Sequence, residues 1–138
     1  MNRLDALLAW YGTLTPLSLP RMAEFYHPQA RFKDPFNDVQ GLNAIHAIFR
    51  HMFAATEAPR FIIREELADA HRAFVTWDFE FGLRGRRFVV RGATRFGFDP
   101  DGLVTEHRDY WDPAEELWQK LPVIGTPVAW LRGRFRAA

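Results

Sequence analysis

Val75-Thr76-Trp77-Asp78-Phe79-Glu80-Phe81 alternates apolar and polar residues without a break. A period of two puts Val75, Trp77, Phe79 and Phe81 on one face of a strand and Thr76, Asp78 and Glu80 on the other. The apolar face turns to a core, the polar face to solvent or to a partner subunit. Neighbouring stretches keep the same period, so strands are predicted at Arg60–Ala68, Ala73–Arg84, Arg87–Asp99 and Leu103–Asp112. Asp69-Ala70-His71, Arg84-Gly85-Arg86 and Pro100-Asp101-Gly102 separate them and read as tight turns between antiparallel partners. In the third of these strands Val90, Gly92, Thr94, Phe96 and Phe98 face inward, with Arg91 and Arg95 outward. Its glycines serve either curvature or the close approach of another group.

Towards the N-terminus the period becomes helical. Leu4, Leu7, Leu8, Tyr11 and Leu14 mark an amphipathic helix over about residues 2–14. A shorter helix runs from Ser18, as its cap, through Met22, Phe25 and Tyr26 to the stop at His27-Pro28. Ala30–Asp34 reads as a brief strand ended by Pro35. Gly41 opens a third helix, whose Leu42, Ile45, Ile48, Phe49 and Met52 form one stripe before Ala58-Pro59 closes it. Beyond the strands, Asp112-Pro113 starts a short helix through Trp118, and Val128, Trp130, Leu131 and Phe135 form a last apolar segment. Helices followed by a meander of strands give an α+β fold. The expectation is one domain over residues 1–138: a curved antiparallel sheet with helices on one face, a conical cavity between them, and a helical C-terminal tail over 113–138.

Composition removes several functions. The chain has 138 residues, 48% of them hydrophobic, enough for a single domain with a real core. Lys and Arg number 18 against 17 Asp and Glu, a balance unlike that of a nucleic-acid binder. No cysteine is present, which excludes disulfides, thiolate metal sites and cysteine catalysis. No run approaches the length of a membrane span, and Asp5 stands where a signal peptide needs its apolar stretch, so a cytoplasmic protein is expected. Ser18 is the only serine and lies in no nucleophile elbow, and the glycines form no nucleotide-binding loop. His46 and His51 sit five positions apart on different helix faces, so no metal ligation is expected from them.

The strand Leu103–Asp112 breaks the pattern. Val104, Glu106, Arg108 and Tyr110 share one face, and Thr105, His107, Asp109 and Trp111 share the other. Whichever face turns inward buries polar groups, which then form either a satisfied network or a site. Asp34 is comparable, set between Phe32 and Phe36. It either starts a turn before Pro35 through its side chain or acts as a base. His107 is a core histidine or an acid/base group, and Asp109 is half of an ion pair with Arg108 or a second carboxylate. Asp112 before Pro113 is a helix cap.

Two stretches carry a resemblance over nearly the whole chain: Phe25-Tyr26-His27-Pro28-Gln29-Ala30-Arg31-Phe32-Lys33-Asp34-Pro35 with Gly41 following, and Asp101-Gly102-Leu103-Val104-Thr105-Glu106-His107-Arg108-Asp109-Tyr110-Trp111-Asp112. The chain resembles the nuclear transport factor 2-like superfamily of cystatin-like, cone-shaped domains. Within it the chain is most similar to the SnoaL-like group, which includes polyketide cyclases and lies near steroid isomerases and limonene epoxide hydrolase. The resemblance places Asp34 at the proton-shuttling aspartate of the isomerases, and Asp109 at the water-activating aspartate of the epoxide hydrolases. Tyr11, or Trp10 beside it, falls at the isomerase oxyanion tyrosine. Thr94 stands where the isomerases keep a protonated aspartate, and the Arg-x-Asp pair of the hydrolases is missing, so neither complete catalytic set is present.

The expected function is acid/base chemistry without metal or organic cofactor on a small hydrophobic molecule, of isomerase, cyclase or hydratase type. Asp34, Asp109 and His107 are the catalytic candidates, and Tyr11, Phe32, Phe49, Trp77, Phe79, Thr94, Phe96 and Trp111 the ligand-binding ones. The alternatives are a non-catalytic binder of a lipid-like or aromatic ligand, and an interaction module. A homodimer through the sheet face would use Asp78, Glu80, Arg91 and Arg95. Trp130, Leu131 and Phe135 beside Arg132, Arg134 and Arg136 either touch a membrane surface or belong to a docked terminal helix.

Overall fold

A computed structural model describes residues 3–116. Helix α1 spans Arg3–Gly12 and buries Leu7, Leu8, Trp10 and Tyr11. A 3-10 helix at Leu19–Glu24 replaces the predicted second α-helix and ends before Phe25. Pro20 sits in its first turn, and the Ser18 hydroxyl turns back to accept the Thr15 N–H at 2.9 Å, so Ser18 does not cap the helix through its side chain. Strand β1 (Tyr26–Lys33) therefore begins four residues earlier than the sequence suggests. It is followed by β2 (Asp38–Gln40), α2 (Leu42–Ala55), β3 (Glu57–Ala68), β4 (Arg72–Leu83), β5 (Arg86–Phe98), β6 (Val104–Tyr110) and α3 (Pro113–Glu116). The predicted end of the last short helix at Trp118, and the apolar tail with its arginines and membrane contact, lie outside the described residues. Among the described residues, no helix is long and apolar enough to cross a membrane.

The expected α+β architecture is present, with one addition. The six strands form a single curved, unclosed sheet in the order β2-β1-β6-β5-β4-β3, and the β1–β6 pair is parallel, whereas the other pairs are antiparallel. Strand periodicity carries no information about such a pairing, because β1 precedes α2 and β6 comes last. The β1–β6 register shifts between Tyr26 and Arg31, where Pro28 has no N–H to donate to a ladder. Strand β2 is too short to show a period and exists because the chain reverses after Lys33. At the β4–β5 hairpin, Arg84 (φ 51°) and Gly85 (φ 78°) both take the left-handed region, as a two-residue turn of matching twist requires.

The helices cover one face of the sheet, α1 against β3 and α2 against β1 and β3. Val75, Trp77, Phe81, Val90, Thr94 and Phe96 are buried on that face, as the alternation predicts. On the opposite face, two of the four charges expected to meet a partner are matched within the chain. Asp78 pairs with Arg64 at 2.7 Å and Arg95 with Glu106 at 3.1 Å.

Candidate functional site

A cavity of about 420 Å³ lies between α2 and the inner faces of β4 and β5. Of the residues expected to bind a ligand, Tyr11, Phe32, Phe49, Trp77, Phe79 and Trp111 line it, and the carboxylates Asp34 and Asp109 reach the same space. Thr94 and Phe96 do not. Both are fully buried behind the wall, because inward-facing positions in the middle of a covered sheet pack beneath their neighbours. His107 is also fully buried and outside the cavity lining. The wall includes residues the sequence reading did not single out, among them Phe61, Phe81, Val90, Ile48 and Met52. Their signals were available in the strand alternation and in the α2 stripe. Phe61, Phe79 and Phe81 stack in series, with ring centroids 4.5 and 5.1 Å apart, and Tyr11 lies 4.5 Å from Phe61.

The last strand turns His107 and Asp109 inward, and Asp109 is held from both sides. Trp77 and Gly92 are cross-strand partners, and a Cβ on Gly92 would lie 2.4 Å from the indole. The glycine therefore serves close approach. With the ring lying across β5, Trp77 Nε1 donates to Thr94 Oγ1 at 2.8 Å. An indole N–H can only donate, so the threonine hydroxyl accepts there and sends its own proton to Asp109 Oδ1, 2.5 Å away. The same Oδ1 lies 2.8 Å from His107 Nε2, and His107 Nδ1 lies 2.6 Å from the Tyr26 hydroxyl. An ionised Asp109 takes a proton from Nε2–H, which leaves Nδ1 as a lone pair for the Tyr26 O–H. Both arms thus end in donors, and every proton between them points towards Asp109.

Asp109 Oδ2 has no hydrogen-bond partner among the described residues, and the side chain is 10% exposed where it lines the cavity. Burial raises the Tyr26 hydroxyl well above the ordinary tyrosine range, with the Asp109 charge adding to the shift. Tyr11 is raised in the same direction by burial, then by Asp109, Tyr26 and Asp34. Its hydroxyl is the one fully buried side-chain polar atom without a hydrogen bond among the described residues. Such an orphan is costly unless something in the cavity meets it. Trp10 has no such vacancy, since its Nε1 donates to the Ser18 carbonyl at 2.9 Å. Tyr11 is the residue of this pair that faces the cavity.

Asp34 has a different environment. Its Oδ1 accepts the N–H groups of Phe36 (2.8 Å) and Asn37 (2.6 Å) and the Asn37 side-chain amide (3.1 Å). This is a side-chain-initiated turn, the first of the two readings the sequence allowed. It carries Phe36 edge-on against Trp111, ring centroids 5.5 Å apart. Asp112 behaves as a cap, accepting from the N–H groups of Ala114 and Glu115. Among the described residues no group of three or more His, Asp or Glu side chains is placed to hold a metal ion.

Comparison with known proteins gives the same fold. The model of a SnoaL-like domain matches residues 7–107. No curated protein matches the chain. Among solved structures, it is similar to a nuclear transport factor 2-like protein of unknown function from Burkholderia pseudomallei, at 18% identity and a TM-score of 0.73, covering 83% of this chain and 94% of that one. It is also similar to TerC co-crystallised with polyporic acid, at 20% identity and a TM-score of 0.72, covering 82% of this chain and 93% of that one. A protein with a ketosteroid isomerase-like fold from Catenulispora acidiphila aligns at 16% identity and a TM-score of 0.70, over 84% of this chain and 89% of that one.

Proposed function

The chain belongs to the SnoaL-like domain family, and from that premise we propose that it is an acid/base enzyme acting on a small hydrophobic carbonyl compound, with Asp109 as the base. The observation that carries this reading is the free Oδ2 of Asp109 in an otherwise greasy chamber, its other oxygen held by Thr94 and His107. Oδ2 takes a proton from carbon next to the substrate carbonyl. Oδ1 keeps both of its hydrogen bonds as this happens, so the surrounding groups need no reorganisation. Tyr11 supplies its unpartnered O–H to the oxygen on which negative charge develops. Returning the proton to a different carbon gives isomerisation; attack of the enolate carbon on a second carbonyl of the same molecule gives cyclisation. Neither outcome calls on a cofactor. His107 and Thr94 position the base, and Asp34 shapes the rim through its turn.

The test is deuterium exchange from solvent into a panel of enolisable apolar ketones, followed by proton NMR. Asp109→Asn should retain the wild-type circular dichroism and lose about 10²–10⁴-fold in exchange rate. Exchange at the wild-type rate in this variant would remove the base assignment.

A further inference from the structure

The cavity has a second, polar opening. Strand β1 leaves the sheet after Lys33, while its parallel neighbour β6 runs on to Tyr110. The gap between them is a cleft of about 610 Å³ that shares Asp34, Asp109 and Trp111 with the apolar chamber and adds Lys33, Arg108 and Tyr110. Its charges are unevenly satisfied. Asp34 is bonded within its turn, and Asp109 is bonded to Thr94 and His107. The nearby acids are matched elsewhere, Asp38 bidentate to Arg31 at 2.9 and 2.8 Å and Glu106 to Arg95. Lys33 and Arg108 face each other in register and make no ion pair among the described residues. Like charges side by side on a sheet are unfavourable, and the Arg108 guanidinium merely rests 4.8 Å from the Tyr110 ring centroid.

We propose that the ligand of this cavity is an organic anion, with its apolar body in the chamber and a carboxylate in the cleft between Lys33 and Arg108. This rests on the reading that the chamber is a ligand site, and it names the substrate class. The anion also explains how two uncompensated cations come to stand beside an entrance whose carboxylates are already bonded. A neutral molecule would use the chamber alone.

The test is tryptophan-fluorescence titration with a naphthoate and with the neutral naphthalenemethanol of the same shape. At low salt the naphthoate should bind the wild type about tenfold more tightly than the alcohol. The double variant Lys33→Ala/Arg108→Ala should erase that preference while binding the alcohol as before, which also reports that its fold is intact. Added salt should weaken only the naphthoate. Equal affinity of the two probes for the wild type overturns the proposal while leaving Asp109 as base. An equal loss for both probes in the variant, or a change in sedimentation mass at unchanged preference, assigns the two cations to packing or to a subunit interface and overturns it too. Binding of neither probe would sink the chamber as a ligand site and this proposal with it.

Discussion

Strands β1 and β6 lie side by side and parallel, and an aspartate at the C-terminal end of each reaches one cavity. Their carboxylates are nevertheless used in opposite ways. Asp34 finds every printed partner within three residues, on the backbone and side chain of its own turn. Asp109 is held by Thr94 from the neighbouring strand and by His107, which in turn is bonded to Tyr26, 81 residues away from it. Local satisfaction occupies a carboxylate in shaping the chain. Satisfaction from across the sheet converges on one oxygen and leaves the other for a reactant.

The contrast is tested hardest where the long-range hold depends on a single missing atom. Gly92→Ala places a methyl group in the plane now filled by the Trp77 indole. The ring must move and its bond to Thr94 must break, at about 2–3 kcal/mol of stability by urea unfolding. Turnover should fall with it, and a fully active, equally stable variant would show that the Trp77 arm is idle.

A smaller effect is expected at the other arm. Tyr26→Phe leaves His107 Nδ1 without its donor in a buried place and should cost about 1–2 kcal/mol near neutral pH. Its pH dependence has a definite sign. Burial holds the folded-state Tyr26 proton above the ordinary value of 10.0, so this stabilisation is complete below that pH and is lost as pH rises above it. The stability gap between wild type and Tyr26→Phe should therefore narrow at alkaline pH. A gap that widens instead would mean the phenol is not the donor to His107.

The least consequence is expected at the local carboxylate. Asp34→Asn keeps an oxygen for the two backbone N–H groups and should cost about 0.5–1 kcal/mol. Its rate should stay within about twofold of wild type, because the turn survives. If it instead falls as far as Asp109→Asn, the two aspartates act as a pair and the distinction between them collapses.

Much of this was legible in advance, for a physical reason that differs by element. Alternation in 75–81 decides which side chains are buried, since a strand cannot hide both of its faces at low cost. The mixed faces of 103–112 announced a buried polar cluster before its partners were known. The boundary at 25–26 was misread because a short apolar run before proline suits a helix end and a strand start alike. Thr94 and Phe96 face inward as expected but stop short of the cavity, a matter of depth beneath neighbouring side chains that periodicity does not encode.

Residue order by itself determined the class of fold, the inward face of each long strand, and the list of acids worth suspecting, because these follow from local sterics and the separation of apolar from polar groups. Only the tertiary structure decided which aspartate keeps a free oxygen, why Gly92 must lack a side chain, and that Tyr11 carries a hydroxyl with nothing to bond. Those outcomes depend on parallel pairing of β1 with β6 and on contacts between residues far apart in the chain, where hydrogen-bond direction and packing distance are set by the neighbours and not by the residue itself.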